Sequence, residues 1–533
     1  MVELHPAVEL PLSTDELEEL AEDMKDRAYA MGVLIRPSKQ TTIHGPITLL
    51  PSTFPRLLYN KAMQLQTDIN LLMLGISKDD EFLYAALKSV VPVDEFTRRL
   101  YEMHLQVKKE GCFKPVTLCI NRTDYMLDCC KEIDEESFLD LSMVEINTIA
   151  AGCPALSTRL VDVHRFSLEQ LGMSREKVLD RVPGNYGMEG VADGMVTTWR
   201  LYGETKAVIV FVVRPEESNK FDQRWMEYGI KDLDDRVKVI RRTLPEIGER
   251  AELRGDERRL FIDDMEVAIL YFRTGYSPID YPTELEWNAR LIGERSRAAV
   301  CPSVAMQLAG TKKIQQVLYD PGSIELFIKG KQRVDDVRSI FTGHYTLDLT
   351  PAGDEAAERA IANPMKYVMK PQREGGGNNL FGEKMKEALV KLRGSPERAA
   401  YMLMDRFNSP VNHNYCMKCG SSDLELMTVA SEFGPFGTLV SYNNEVVFNK
   451  ATGYLYRTKD IKLDEGGLMV GTGFLDTPYL SSAEVICPAA TQNGFMNIKL
   501  KNFNLEDMRC SGLNSWRGQL PLVYYSNLLI FQC

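Results

Sequence analysis

At 533 residues the chain has room for about three to four units of ordinary domain size, enough to bury a core without disulfide staples. With 44% hydrophobic and 26% charged residues it reads as a globular protein, neither disordered nor fibrous. Its 63 basic and 75 acidic side chains leave −12, which argues against a general binder of phosphate backbones and makes nucleic acid an unexpected partner.

The first thirty residues carry Glu3, Glu9, Asp15, Glu16, Glu18 and Glu19 and no apolar segment, so neither a secretory signal nor an Arg-rich transit peptide is expected. Ala207 to Val213, among the longest apolar runs, falls far short of the ~20 residues a membrane helix needs. A cytoplasmic protein with no membrane partner is the expectation, its eleven cysteines mostly free thiols.

Ser13-Thr14-Asp15-Glu16 opens an amphipathic helix through Leu17, Leu20, Ala21 and Met24, and helical spacing is expected to continue to about residue 110. Val116 to Ile120 reads as a short strand. Ser142 to Asn147 alternates with period two, placing Glu145 and Asn147 on one face and Val144 and Ile146 toward the core. Between 201 and 304, strands at Ala207 to Val213 and Val237 to Arg242, a hairpin turning on Asp263-Asp264 and a helix over Glu284 to Ile292 make an α/β unit. The rest divides into 1–200, a helical and strand region; 305–480, with a strand at Tyr367 to Lys370 followed by a Gly-rich loop and a helix; and 481–533, a C-terminal extension expected to be dispensable.

That loop, Lys370-Pro371-Gln372-Arg373-Glu374-Gly375-Gly376-Gly377-Asn378-Asn379, is the strongest chemical signal. Three glycines let a backbone approach phosphates, Lys370 and Arg373 add positive charge, and Glu374 offers the hard oxygen that Mg²⁺ takes. It is neither a Walker loop nor a dinucleotide fingerprint. Glu145 with Asn147 could ligate a metal, and Arg457 with Lys459, also two apart, could face an anion, although solvated strand faces would show the same patterns. Arg122 and Arg273 follow strands, where α/β units usually hold ligands. Cys416 and Cys419 lack a second ligand pair, and none of the six histidines belongs to a nucleophile motif, so covalent catalysis is not expected.

The Gly-rich string, together with Val144 to Thr148, Phe221-Asp222-Gln223-Arg224, Tyr271 to Tyr276, Gln307 to Lys313 and Tyr456-Arg457-Thr458-Lys459, resembles eukaryotic glutathione synthetase over residues 1 to about 480. The resemblance implies an α/β ATP-grasp fold with an inserted Rossmann-like substrate-binding domain and a Gly-rich lid, in a homodimer that joins γ-glutamylcysteine to glycine with ATP through an acyl phosphate. By matching position it implies Glu145, Asn147 and Glu374 as ligands of magnesium, two ions being expected. It implies Lys312, Lys370, Glu374, Gly375, Gly376, Gly377, Asn378, Asn379, Phe381, Glu432, Lys459 and Glu465 around ATP, with Met404, Asp405, Arg406 and Phe407 as a hinge whose backbone reads adenine. It implies Arg122, Glu217, Ser218, Asn219, Gln223, Arg273, Tyr276, Arg457, Leu468 and Met469 around the substrates, with Arg122, Arg457 and Lys370 acting in the reaction.

The chain departs from the family where a serine-containing loop ending in Phe-Gly-Gly gives way to Ile149-Ala150-Ala151-Gly152-Cys153-Pro154-Ala155. It departs again where Leu468, Met469 and Val470 replace small lid residues, Glu465 an aspartate and Phe381 a tyrosine. These changes touch the dipeptide and acceptor pockets and keep open a ligase with another acceptor, β-alanine or serine, and a nucleotide-binding homologue that does not ligate.

Overall fold

The computed structural model describes residues 2–112, 114–133, 136–419, 424–468 and 471–482, with only the backbone of 130–133, 136–138, 486–487 and 496–497. The tail beyond 482, apart from those two backbone pairs, and Met469 and Val470 of the lid lie outside the described residues.

The first helix, Thr14–Met31, starts on a capping box in which Ser13 and Glu16 exchange hydrogen bonds, and it stops at Gly32, whose left-handed φ of 71° ends the helical hydrogen bonding. The expected helical run to residue 110 is interrupted there. Strands Leu34–Ser38, Thr41–His44, Ile47–Thr48 and Ser52–Pro55 intervene before helices resume at Arg56–Lys78, Asp80–Leu87 and Glu95–Lys109. Pro37, Pro46, Pro51 and Pro55 break helical hydrogen bonding across this stretch, and Thr41, Thr42 and Ile43 favour extension.

Two sheets face one another across a cleft. The larger has seven strands in the order Asn412–Met417, Ile47–Thr48, Phe474–Asp476, Glu445–Asp460, Leu426–Tyr442, Val116–Ile133, Glu136–Asn147. It therefore draws on both the first 200 residues and residues beyond 411. The strand expected at Val116 to Ile120 runs on to Ile133, so Arg122 lies inside a strand and not at its end. The smaller sheet orders His344–Thr346, Tyr401–Asp405, Tyr367–Pro371 and Leu380–Phe381. Helices Pro351–Ala362 and Gly382–Lys391 cover it, burying Ala356, Ala360, Met385 and Leu389 against Met369 and Leu403.

A third sheet of six strands lies within 208–301, where Val239–Arg242, Val208–Val212, Met265–Phe272 and Ala299–Cys301 run parallel. Every residue of Val208–Val212 is buried, as a parallel strand covered on both faces requires. The hairpin turns at Asp263-Asp264, both at positive φ, as a two-residue type I′ turn needs.

One strand expectation fails in detail. Asp124 pairs with Glu145 but Tyr125 pairs with Met143, so Val144 is the extra residue of a β-bulge. It lines the cleft instead of joining Ile146 in the core.

Candidate active site

The cleft between the two facing sheets has a volume of about 700 Å³. From the smaller sheet come Val368, Lys370, Phe381 and the hinge Met404 to Phe407; from the larger come Arg122, Glu145, Asn147, Ala430, Glu432, Arg457 and Lys459. The bulge ties the sheets together, because it turns the Val144 carbonyl to accept from Lys370 Nζ at 2.7 Å.

Gly375, Gly376 and Gly377 stand at φ 99°, 64° and 73°, three successive left-handed residues that no side-chain-bearing run would adopt cheaply. Such a turn aims its N–H groups at one point. Here they meet a carboxylate: Glu465 of the lid accepts from Gly377 N and from Asn379 N, the latter at 3.1 Å. A carboxylate and a phosphate present the same kind of anionic oxygen to such N–H groups. Asn378 lies outside the cleft lining and bonds back to the Gly376 carbonyl.

Glu145 and Glu374 converge on one cation, Lys312 Nζ, at 3.1 and 2.9 Å. Burial alone would raise the Glu145 pKa, but Lys312, Lys370 and Arg457 together pull it well below the usual range. Burial dominates for Glu374, which is pushed up to about 7 with Lys312 opposing, and for Lys370, which is pushed down to about 8. The two partly buried carboxylates and the Asn147 carboxamide form a hard-oxygen set that fits magnesium. Lys312 itself is 3% exposed and bridges the two carboxylates from beneath the cleft lining.

The N–H groups of Asp405 and Arg406 donate to Gly343 O and Lys366 O, each at 2.9 Å, so those two donors are not open to an adenine edge. Lys459 Nζ bonds Leu463 O and Asp464 O, and Arg406 pairs with Asp464 at 2.8 Å, which holds the segment before the lid against the hinge. Glu432 accepts from Arg457 Nε at 2.8 Å; burial nonetheless raises its pKa to about 7.

The other half of the cleft is the expected dipeptide end. Arg122, Glu217, Ser218, Asn219, Arg273, Tyr276 and Leu468 all line it. Tyr276 lies against Gly375, where an added Cβ would be 3.0 Å from its ring, so the two halves touch. Gln223 is 1% exposed behind this half of the cleft, and its Oε1 accepts from Arg241.

Sequence reasoning missed two carboxylates. Asp222 accepts from the backbone of Cys153, Ala155 and Leu156 at 3.0, 2.9 and 3.3 Å and meets Arg273 at 3.4 Å. It thereby holds the departing loop, whose Ala151 and Gly152 carbonyls accept from Arg273 at 2.7 Å and Arg122 at 3.3 Å. Asp124 binds Arg122 through both oxygens, at 2.6 and 2.7 Å. Its spacing of two from Arg122 is the signal used for Glu145 and Asn147, whereas Asp222, although it lies in the Phe221-Asp222-Gln223-Arg224 motif, has no local spacing that points to its role.

A family model described as the eukaryotic glutathione synthase ATP-binding domain matches residues 14–480. Glutathione synthetases of Xenopus laevis and Homo sapiens are 43% and 42% identical over 470 residues, 87% of this chain and 97% of each relative. The chloroplastic glutathione synthetase of Solanum lycopersicum is 39% identical over 440 residues, 82% of this chain and 78% of that protein. Among solved structures, a glutathione synthetase-like effector, GSS30, from Globodera pallida superposes with a TM-score of 0.70 over 88% of this chain and 98% of that one; at 24% identity the likeness establishes the fold.

Proposed function

The chain belongs to the eukaryotic glutathione synthetase family and is an ATP-dependent ligase that makes glutathione, and we propose from that premise how its ATP-grasp cleft works. The observation that carries the proposal is the Gly-rich cradle already closed on a carboxylate oxygen, next to a convergent pair of partly buried carboxylates.

ATP would lie between the sheets, its adenine at Met404 to Phe407 and its phosphates under Gly375 to Gly377, with Lys370 and Lys459 facing the charge. Glu145, Asn147 and Glu374 would hold magnesium, which supplies charge neutralisation at the phosphates when bound. γ-Glutamylcysteine would lie along Arg122, Asn219, Arg273 and Arg457, near Tyr276 and the Glu217-Ser218 turn. Two anions must meet here: the dipeptide carboxylate attacks the γ-phosphorus, ADP leaves, and an acyl phosphate forms. The amine of glycine then adds to the acyl carbon, and the tetrahedral intermediate expels phosphate. Arg122, Arg457 and Lys370 stabilise negative charge in both steps without a protein nucleophile. Leu468 and the lid keep water from the acyl phosphate.

We also propose two magnesium ions per site, a homodimer, a cytoplasmic setting and an inserted substrate domain at 201–304. Among the described residues no helix is long and apolar enough to cross a membrane.

The test is Glu374→Gln, which keeps the shape of the side chain and removes its charge. Glutathione formation and phosphate release with glycine, β-alanine and serine as acceptors should fall by at least about 100-fold, while the circular dichroism spectrum is retained. Wild-type turnover in the folded variant would remove Glu374 from the site.

A further inference from the structure

We propose that Asp124 is the positioning residue that couples the metal side of the cleft to its dipeptide side, an inference that rests on the ligand and substrate assignments above. Asp124 is 1% exposed and lies opposite Glu145 in the strand register, beside the bulge that frees Val144. Its carboxylate collects three partners the sequence places in two different roles. Arg122 Nε meets Oδ1 at 2.6 Å and Arg122 Nη2 meets Oδ2 at 2.7 Å. Asn147 Nδ2 donates to Oδ2 at 2.9 Å, and Arg457 Nη2 lies 3.6 Å from the same oxygen.

Each contact fixes an orientation. An ionised carboxylate only accepts, so the group Asn147 turns toward it must be the amide NH₂, and Asn147 Oδ1 is left as the oxygen for a cation. Without Asp124 the amide could present NH₂ to the metal instead. The two bonds to Arg122 lock its planar guanidinium, leaving Nη1, which reaches the Gly152 carbonyl at 3.3 Å, as its outward corner. One buried carboxylate therefore sets both the metal-facing oxygen of Asn147 and the cation that would meet the dipeptide. The neighbouring strand gives it space: a Cβ on Gly434 would stand 2.4 Å from Asp124 Oδ1 and 2.9 Å from Arg122 Cδ. A purely stabilising ion pair would need none of this convergence, and buried ion pairs are in general weak contributors to stability.

The test uses the full chain and two binding measurements that do not depend on turnover. Mn²⁺ affinity is read by electron paramagnetic resonance in the complex with a non-hydrolysable ATP analogue, and γ-glutamylcysteine affinity by calorimetry without metal or nucleotide. Asp124→Asn, nearly isosteric, should weaken both by about 10–100-fold, the usual effect of removing a residue that orients a ligand. The double variant Asp124→Asn with Asn147→Asp restores a donor–acceptor pair in reverse. It should recover Mn²⁺ affinity while dipeptide affinity stays low, because Arg122 still lacks its carboxylate.

Asn147→Asp alone gives a reading that does not depend on the folding of Asp124→Asn. With two carboxylates opposed, coupling through Asp124 predicts weaker Mn²⁺ binding, whereas an independent ligand would bind more tightly as a carboxylate. Unchanged affinities in folded Asp124→Asn, or tighter Mn²⁺ binding by Asn147→Asp, overturn the inference. A wild-type protein that forms no Mn²⁺–nucleotide complex overturns the metal assignment itself, which separates the two failures.

Discussion

Replacing Asp222 by alanine should loosen the dipeptide half of the cleft before it disturbs the nucleotide half. The helix Pro154–Gln170 begins after Cys153, which sits at φ 70° and supplies no capping side chain. Its first amides are satisfied from another element, by the Asp222 carboxylate at 2.9 to 3.3 Å. Together with the Cys153 amide, alanine would leave three buried donors without an acceptor and Arg273 without its carboxylate. At about 1–3 kcal/mol for each orphaned donor, and allowing for partial relaxation of the loop, the loss should be roughly 3–6 kcal/mol. Asp222→Asn keeps one acceptor oxygen and should lose about half of that. Urea unfolding of the full chain followed by tryptophan fluorescence measures the loss. Steady-state kinetics should then show KM for γ-glutamylcysteine rising at least tenfold while KM for ATP changes little, because Ala151 O and Gly152 O no longer hold Arg273 and Arg122. Equal unfolding midpoints for wild type and alanine variant, or equal rises in both KM values, would refute the reasoning.

His344 is buried with its pKa pushed from 6.5 down to about 4, chiefly by burial. The unfolded chain therefore takes up the proton first, and stability is lost as pH falls from about 6.5 toward 4; between pH 7 and pH 5 this one group should cost the wild type about 2 kcal/mol. His344→Gln should abolish that increment in paired urea titrations at the two pH values, and an unchanged difference would show that the imidazole titrates normally. Leu468 lines the cleft and packs partly against the apolar cluster around Leu455 and Phe436. Leu468→Ala should shift the relative kcat/KM for glycine, β-alanine and serine by about 1–3 kcal/mol, several-fold or more in a competition assay, and identical acceptor profiles would remove Leu468 from the pocket.

The sequence by itself determined what depends on local chemistry. The first helix is written in Ser13 and Glu16, the hairpin in Asp263-Asp264, and the anion cradle in three adjacent glycines, because capping, turn and left-handed backbone preferences act within a few residues. The family motifs likewise supplied most cleft residues, with Glu145, Lys370 and Arg457 meeting in one cavity although they come from distant parts of the chain. The tertiary structure decided the rest, where partners are far apart in sequence or a single extra residue changes direction. The bulge at Val144 breaks a strict two-residue alternation, and only pairing with Asp124 and Tyr125 reveals it. Lys312 bridges Glu145 and Glu374, and Gln223 accepts from Arg241, because each meets a charged neighbour from another element. Asp222 could not be found from local pattern, since its role is to cap a helix that starts 68 residues earlier, at Pro154. Propensity and spacing act along the chain, whereas the acceptors that satisfy buried donors are chosen in space.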